Sequence, residues 1–524
     1  MLVCPIDSFG GDKYVLLSSL DVSVVQEEKT FNIGIRKYNG EYYSPKGHKY
    51  LKDFVTDDIP SMSFEVGTVK VRLERLLSAN SDQLFVRYSV TGANGPVRLQ
   101  FRPVLAFRSI HSLTFSNLSA NTRVERISNG VRSKLYEGFP WLNMQFSKEP
   151  EFVPVPDWYR GVEYIEEQRR GYDFIEDLFV PGFFELVLNP GENVVFSAST
   201  EEVNPAGLKT RFAIERKIKV PRNNYRNCLF NAAQQFIVRR NGNTNIVAGY
   251  HWFGSWGRDT FISLPGLTLS RGDIGSCKDV LDTQIKKMKG GLFPNMGSDD
   301  NPAFNSVDAP LWFIWSVQQY RLAGGKGSWK LYGKAVRDVI DAYYRGTSFN
   351  IGMRDNWLIY AGEPGKALTW MDAVTTSGPV TPRSGYNVEI NALWYNAVSF
   401  ALDMARKKGD QEFVANYEGL PERIKDSFKR YFWDEEEGYL ADYLDSDLSR
   451  NMDVRPNMLI AGSLPYSMLG EEQMKSILDI TTGELLTSRG LRTLSPRIHG
   501  IRVFTGVTRS RETMPITRVR YGHG

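Results

Sequence analysis

The stretch Cys228–Arg240, CLFNAAQQFIVRR, marks the point at which the hydrophobic pattern of the chain changes. Before it, apolar and polar residues alternate, whereas after it apolar residues recur every three to four positions, as on one face of an α-helix. The change therefore predicts strands in the first part of the chain and helices in the second. Within the stretch itself, the predicted helical face comprises Leu229, Phe230, Ala233, Phe236 and Ile237.

Residues 1–215 are predicted to form an antiparallel β-sandwich. Period-two alternation with β-branched and aromatic residues recurs in YVLLSSLDVSVVQ, SFEVGTVKVRLERL and QLFVRYSV. Asn-Gly and Pro-Gly pairs between such runs are typical of turns. Several strands of this kind must bury one face each, which favours two packed sheets. Residues 216–224 are predicted to be a linker.

Residues 225–496 are predicted to form helices joined by long loops. Helical spacing recurs in segments such as DAPLWFIWSVQQYRLAG, LYGKAVRDVIDAYYRG and EINALWYNAVSFALDMARKKG. The loops between the helical segments hold most of the Gly, Pro, Trp and Asp residues of this part. Functional residues concentrate on loops that a rigid scaffold positions. We therefore expect a helical toroid with a site at its mouth.

The charge of the chain gives no reason to expect a nucleic-acid partner. The net charge is +4, but residues 497–524 carry six arginines and one acid, so the preceding 496 residues are close to neutral. A basic surface for a polyanion is absent from that composition.

Other broad features indicate an ordinary cytoplasmic protein without a metal or cofactor. The three cysteines lie far apart, so neither a disulfide framework nor a zinc site is predicted. The N-terminal sequence lacks a secretory signal, and no apolar run approaches the length of a membrane span. The sequence does not indicate an oligomeric state.

Aromatic residues and carboxylates dominate the candidate chemistry. The chain contains 11 Trp, 25 Tyr and 30 Phe but only five His, and it has neither an HExxH nor a GxSxG motif. Aromatic faces stack on sugar rings while carboxylates and amides bind hydroxyls. This combination favours glycoside hydrolysis by carboxylates.

The first candidate site segment is AGYHWFGSWGRDTFISLPGL, residues Ala248 to Leu267. Its Arg258-Asp259 pair follows Trp252 and Trp256 and precedes a predicted helix. An Asp at a helix start is often an N-cap, and an Arg-Asp pair beside tryptophans is also suited to binding vicinal hydroxyls. The residues alone leave both interpretations open.

Two further segments carry acids near aromatic residues. Asp308 precedes an apolar helix, where an N-cap role is favoured. Glu389 opens a later helical segment, where an acid suits the helix dipole and a role in binding a ligand fits equally well. Asp372 lies beside Trp370 in a predicted loop. Apolar neighbours favour the neutral form of a carboxyl, which is what a general acid requires near neutral pH.

Three motifs within these segments resemble the bacterial and archaeal glycogen debranching family, the amylo-α-1,6-glucosidases. They are WFGSWGRD, NSVDAPLW and LTWMDAVTTSGPVTPRSGYNVEINALWYN. The resemblance implies an N-terminal β-sandwich followed by an (α/α)6 toroid of the glucoamylase kind. It also implies hydrolysis of α-1,6-linked glucose at the branch points of glycogen or another branched α-glucan.

The resemblance also implies roles for individual residues. Asp372 is similar in position to the general acid, and Arg258 with Asp259 to the pair that holds hydroxyls of the terminal glucose. An inverting mechanism needs a second carboxylate roughly 6.5–9.5 Å from the acid. The remaining residues expected to line the pocket are Trp252, Trp256, Asp308, Trp370, Arg383 and Glu389.

The resemblance fades at both ends of the chain. Relatives are expected to have further strands before Met1, and beyond Pro496 the similarity stops. RETMPITRVRYGHG, residues 511–524, is compatible in the neighbouring reading frame with RDNAYHQGTVWAW, a segment expected in the family before the general base. We therefore expect residues 497–524 to be out of frame, the toroid to lack its last helices and base, and hydrolysis to be impaired.

Two other functions fit the same residues. One is another hydrolase or phosphorylase of α-glucans with the same architecture. The other is a glycan-binding protein that retains the sugar pocket without turnover, which the expected lack of a base favours. Glucose release or its dependence on phosphate would distinguish these alternatives.

Overall fold

The computed structural model describes residues 1–26, 29–250, 253–297 and 302–497, and these residues form two compact units. The first unit comprises residues 1–235 and the second begins at Phe236. The division therefore lies beyond the predicted linker at 216–224. Residues 498–524, to which the prediction of an out-of-frame segment applies, lie outside the described residues.

Two antiparallel eight-stranded sheets make up most of the first unit. The strands of the first sheet are β1 (Leu2–Pro5), β2 (Lys13–Gln26), β3 (Lys29–Asn32), β4 (Ile35–Tyr38), β5 (Tyr42–Lys46), β10 (Val97–Ser109), β14 (Glu151–Glu163) and β15 (Ile175–Leu188). Those of the second are β6 (Leu51–Val55), β7 (Ser61–Val66), β8 (Val69–Leu77), β9 (Gln83–Thr91), β11 (Val124–Ile127), β12 (Gly130–Ser133), β13 (Leu142–Phe146) and β16 (Asn193–Ser199). All the strand pairs in both sheets are antiparallel, as the alternating pattern predicts.

One hydrophobic core joins the two sheets into a sandwich. Tyr88 on β9 lies 4.9 Å from Phe101 on β10, measured between ring centroids, although the two strands belong to different sheets. Phe146 on β13 contacts Phe101 and also Phe184 on β15. Inward-facing aromatic residues thus fill the space between the sheets, and the predicted β-sandwich is confirmed.

Two helices accompany the sandwich, α1 (Ile165–Arg170) and α2 (Leu208–Lys217). Leu208 and Phe212 on α2 are buried against Phe85 and Val195 of the second sheet. The end of the predicted sandwich and the start of the predicted linker are therefore a helix that packs on that sheet.

The described part of the second unit is mainly helical, with short two-stranded ribbons in its loops. The helix α3 (Tyr225–Phe236) ends at the division between the units. The helices that follow are α4 (Gly257–Leu267), α5 (Ile274–Ile285), α6 (Ala309–Leu322), α7 (Ser328–Arg345), α8 (Val388–Lys408), α9 (Gln411–Tyr417), α10 (Leu420–Phe432), α11 (Asn457–Ser463) and α12 (Glu471–Glu484). The strands are β17 (Ile237–Arg240), β18 (Asn243–Ile246), β19 (Met296–Gly297), β20 (Pro302–Ala303), β21 (Gly352–Met353), β22 (Ile359–Tyr360), β23 (Val374–Thr375), β24 (Gly378–Pro379), β25 (Tyr386–Asn387), β26 (Trp433–Asp434), β27 (Tyr439–Leu440), β28 (Tyr443–Leu444), β29 (Arg450–Asn451), β30 (Leu486–Thr487) and β31 (Gly490–Leu491).

Alternate helices pack against each other and form the inner layer of a toroid. Helix α4 packs on α6, α6 on α8, and α8 on α11. The inner helix α8 buries 15 of its 21 residues, whereas α10 buries four of 13 and α12 three of 14. Helices buried on most sides lie inside and amphipathic helices lie outside, as the hydrophobic patterns require.

One part of the opening prediction is wrong. Ile237 does not extend the helical face of α3, because the chain turns there into β17, which pairs with β18. Of the five predicted apolar residues, Ala233 is buried and Leu229 is exposed. Within the described residues, no helix has both the length and the apolar character that crossing a membrane requires.

Candidate active site

The first turn of α4 positions Arg258 and Asp259. The helix begins at Gly257, whose N–H donates to the carbonyl of Asn295 at 3.1 Å. A Cβ atom at residue 257 would lie 2.4 Å from the carbonyl oxygen of Pro294, a distance that no side chain tolerates. Glycine is therefore required where α4 meets this neighbouring segment.

Arg258 joins two carboxylates from two other segments. Its Nε donates to Asp308 Oδ2 at 2.6 Å and its Nη1 donates to Asp372 Oδ2 at 2.7 Å. The Arg258 side chain is 6% exposed and that of Asp308 is 1% exposed, whereas that of Asp372 is 22% exposed. We call Arg258, Asp308 and Asp372 the Arg258 cluster. Its exposed member is the residue predicted to be the general acid.

The side chain of Asp308 does not cap α6, so the N-cap interpretation of this residue is wrong. Asp308 occupies the N-cap position of α6, but its side chain makes no capping bond. The hydroxyl of Ser306 accepts from Ala309 N–H at 3.2 Å and donates to Asp308 Oδ1. Ser306 thus caps the helix and leaves the Asp308 carboxylate free to bind Arg258.

The N-cap interpretation of Asp259 is also wrong. Trp256 is the N-cap of α4, and Asp259 lies inside the first turn, where its charge suits the helix dipole. Burial raises the pKa of the Asp259 carboxyl above its ordinary value, and the nearby charges of Asp372 and Asp308 add to this effect while Arg258 opposes it. Asp259 is thus a half-buried acid beside the Arg258 cluster.

The two carboxylates of the Arg258 cluster stabilise the charge of its guanidinium. Although burial works against it, the carboxylates of Asp308 and Asp372 raise the pKa of Arg258, so the guanidinium stays charged. The side chain of Asp372 lies in the loop between β22 and β23, as predicted.

Arg383 forms a second cluster that is closed to solvent. Its Nη1 and Nη2 donate to the two oxygens of Glu389 at 2.6 and 2.8 Å, and its Nε donates to Asp442 Oδ2 at 3.0 Å. All three side chains are 1% exposed. We call Arg383, Glu389 and Asp442 the Arg383 cluster. A pocket-lining role for Arg383 and Glu389 finds no support in these contacts.

Both pKa shifts in the Arg383 cluster follow from burial and pairing. Burial raises the pKa of Glu389, and the Asp442 charge adds to this effect, while Arg383 opposes it. For Arg383, burial opposes charge, but Glu389 and Asp442 raise the pKa of the guanidinium. The arrangement holds the start of α8, where Glu389 is the second residue, against the segment that carries Asp442.

Asn457 links Trp370 to the Arg383 cluster. It is the first residue of α11, and its Oδ1 accepts from the indole Nε1 of Trp370 at 2.8 Å. Its Nδ2 donates to Asp442 Oδ1 at 2.7 Å. Trp370 is half-buried and lies two residues before Asp372.

Three residues that belong to these clusters or bind their members were not predicted from the sequence: Ser306, Asp442 and Asn457. Asp442 carried one usable signal, a lone acid in the run YLADYL between strands β27 and β28. Ser306 and Asn457 carry no comparable signal, since Ser and Asn are common in loops and at helix starts.

The predicted tryptophans are placed unevenly. Trp256 is half-buried and its ring lies 5.5 Å from that of Phe253, edge to face. Trp252 lies outside the described residues.

Two cavities in the described part of the second unit differ in size, and neither accommodates a sugar at the clusters. One of about 10 Å³, lined by residues such as Met371, Thr381 and Arg383, is no larger than a water molecule requires. The other, of about 520 Å³, is formed by the β17–β18 turn and α5 and contains none of the predicted site residues. Its described lining has no aromatic side chain for a sugar to stack on.

The described part of the helical unit, with both clusters, lies within a segment that matches a known protein family. Residues 231–507 match the family model described as amylo-alpha-1,6-glucosidase. The chain belongs to the amylo-alpha-1,6-glucosidase family. Residues 1–195 match a second model, described as glycogen debranching enzyme N terminal.

Individual relatives agree with this family. The chain is 25% identical over 337 residues to the glycogen debranching enzyme of Saccharomyces cerevisiae (strain ATCC 204508 / S288c). That match covers 48% of this chain and 22% of the yeast enzyme, so the chain spans about a fifth of the length of this relative. A crystal structure of a bacterial glucoamylase complexed with acarbose is similar in fold, with a TM-score of 0.55 and 11% identity over 91% of this chain and 74% of that one.

Proposed function

We propose that this chain hydrolyses α-1,6-linked glucose at branch points of glycogen or a related branched α-glucan. The family match supports the reaction, and the glucoamylase with acarbose supports a glucan as ligand. Asp372 is the proposed general acid. The observation that carries this choice is its exposure, 22% in a cluster whose other carboxylate is 1% exposed.

The Arg258 cluster suggests how a sugar could engage the acid. In the absence of sugar, Arg258 Nη1 donates to Asp372 Oδ2 at 2.7 Å. A glucose residue whose hydroxyls bind Arg258 and Asp259 would compete for that donor. It would also shield Asp372 from water and leave its carboxyl available to the glycosidic oxygen, the atom that a general acid protonates.

An inverting reaction also needs a base that activates water on the opposite face of the sugar. The contacts of the described residues assign no carboxylate to this role. Glu389 and Asp442 are engaged by Arg383 and closed to solvent, which makes them unsuited to activating water.

The experiment compares the protein with its Asp372→Asn variant on panose and on a branched limit dextrin. A general acid contributes about 10²- to 10⁴-fold, so glucose release is expected to fall by that factor while the melting temperature stays close to that of the parent. Glu363→Gln, in the same loop, is the matched control and is expected to retain activity.

Each other result has a defined meaning. Equal rates for the parent and Asp372→Asn would remove Asp372 from the role of acid. Product formation that requires phosphate would indicate a phosphorylase. Acarbose binding measured by calorimetry without any glucose release would instead identify a glycan-binding protein.

A further inference from the structure

We propose that Asn457 is a positioning residue that fixes the Trp370–Asp372 segment against the buried Arg383 cluster. The amide bridges two side chains, accepting from the Trp370 indole and donating to Asp442. The proposal rests on the proposed function of Asp372. It adds a role to a residue that does not contact the acid itself.

The bridge uses both ends of one buried amide. Asn457 is 1% exposed, so an unmade hydrogen bond there would cost about 1–3 kcal/mol. Its Oδ1 meets an N–H donor and its Nδ2 meets a carboxylate oxygen, which also fixes which end of the amide faces which partner. The Nδ2 atom lies 3.8 Å from the sulfur of Met371, the residue next to Asp372.

The far side of the bridge is well fixed. The Asp442 carboxylate accepts from Arg383. Its backbone makes two further hydrogen bonds, because Val388 N–H donates to the Asp442 carbonyl at 3.1 Å and Asp442 N–H donates to the Asn451 carbonyl at 2.8 Å. Arg383 thus holds the Asp442 carboxylate, and the start of α8 holds its backbone. A carboxylate fixed in this way can fix Asn457 and, through Asn457, the Trp370 indole.

The near side is a loop with few anchoring contacts around the proposed acid. Before Asp372, the carbonyl of Leu368 accepts from Val307 N–H at 2.9 Å, and the Trp370 indole binds Asn457. At Asp372 itself the contact is to Arg258, which a bound sugar is proposed to displace. Once that contact is released, the Trp370–Asn457 bond is the adjacent side-chain contact that keeps the acid in place.

The inference predicts a defect in catalysis rather than in sugar binding. The acid acts on the leaving oxygen in the transition state, so a loosened acid lowers kcat more than it raises KM. Misplacement of a catalytic group by about 1 Å costs on the order of 100-fold. Asn457→Ala is therefore expected to lower kcat by about 10- to 100-fold with KM nearly unchanged.

The control is Asn396→Ala. Asn396 is equally buried on α8 and also uses both ends of its amide, donating to Gln318 at 3.1 Å and accepting from Tyr466 N–H at 3.3 Å. Its substitution removes comparable bonds without touching the Trp370 segment. We expect it to lower the melting temperature but leave kcat at the parental value.

A swapped pair tests the bridge directly. Asn457→Asp places a carboxylate against Asp442 and should impair kcat as strongly as Asn457→Ala. The double variant Asn457→Asp/Asp442→Asn restores a donor opposite an acceptor and keeps an acceptor for the Trp370 indole, so it should recover much of the lost kcat. A double variant no better than Asn457→Asp overturns the proposal.

Hydrogen exchange supplies a readout that does not need turnover. Amides of residues 366–377 are expected to exchange faster in Asn457→Ala than in the parent or in Asn396→Ala. Unchanged exchange there, or faster exchange with an unchanged kcat, overturns the positioning role. A parent that releases no glucose contradicts the proposed function instead, and the exchange comparison still decides whether Asn457 holds the segment.

Discussion

The Arg258 cluster and the Arg383 cluster each pair one guanidinium with two carboxylates, yet they differ in access to solvent. Both carboxylates of the Arg383 cluster are 1% exposed, whereas Asp372 in the Arg258 cluster is 22% exposed. A buried carboxylate whose partner is never released can only hold structure. A carboxylate that keeps one side open can exchange its partner for a ligand.

The largest expected effect tests this difference through stability. Arg383→Met would leave Glu389 buried without its cation and Asp442 with only the more distant Arg455, 3.5 Å away, which is expected to lower the free energy of unfolding by about 3–5 kcal/mol. Arg258→Met is expected to cost less, because Asp372 can turn to water and Asp308 keeps its bond from Ser306. Urea denaturation of both variants measures the difference. A greater loss for Arg258→Met would show that the two clusters do not differ in this way.

A smaller effect is expected at Ser306, which supports the Arg258 cluster from the start of α6. Ser306→Ala removes the cap of Ala309 and the bond to Asp308, and loss of a cap costs about 1 kcal/mol. It is also expected to weaken acarbose binding, because Asp308 then no longer holds Arg258 as firmly.

Ser316→Ala is the matched control for this variant. Ser316 lies on α6, the helix that Ser306 caps. It is fully buried and donates to the Phe261 carbonyl at 2.7 Å. It should lose similar stability without a change in acarbose affinity. The two variants are compared by thermal unfolding and calorimetry, and equal losses of affinity would separate Ser306 from the site.

The smallest effect concerns pH and Asp259. Because burial raises the pKa of its carboxyl in the folded state, the folded protein binds a proton more tightly than the unfolded chain. Stability that depends on this group therefore falls as pH rises from the unfolded pKa towards the raised one. Asp259→Asn removes that loss. As pH rises from 3 to 7, the stability of the variant should therefore increase relative to that of the parent.

Asp273 provides the opposite sign as a control. Although desolvation opposes them, hydrogen bonds from Ser276 lower the pKa of the Asp273 carboxyl at the start of α5. Asp273→Asn should therefore lose stability relative to the parent between pH 3 and pH 7. Melting temperatures across this range decide both cases, and a parallel response of the two variants would contradict the assigned causes.

The sequence predicted the fold better than it predicted the contacts of the site. Alternation in residues such as those of β8 and helical spacing in α8 report burial directly, so sheets and helices were predictable. The cap positions were not, because Asp308 and Ser306 are both good capping residues and only the position of Arg258 decides between them.

The same limit applies to long-range partners. The neighbours of Asp442 and Asn457 in the sequence do not indicate which residues these two side chains bind. Asp442 binds Arg383, 59 residues away, and Asn457 binds Trp370, 87 residues away. The roles proposed for Asp372, Arg258 and Asp259 came from the motifs, and they stay predictions until the variants are measured.

The glycine at the start of α4 has a consequence for how this site can change over evolution. Since residue 257 abuts Pro294 without room for a side chain, any larger residue there must shift the first turn of the helix as a whole. Arg258 and Asp259 would then move together, and mutations at the two positions should show strong epistasis with changes at Gly257.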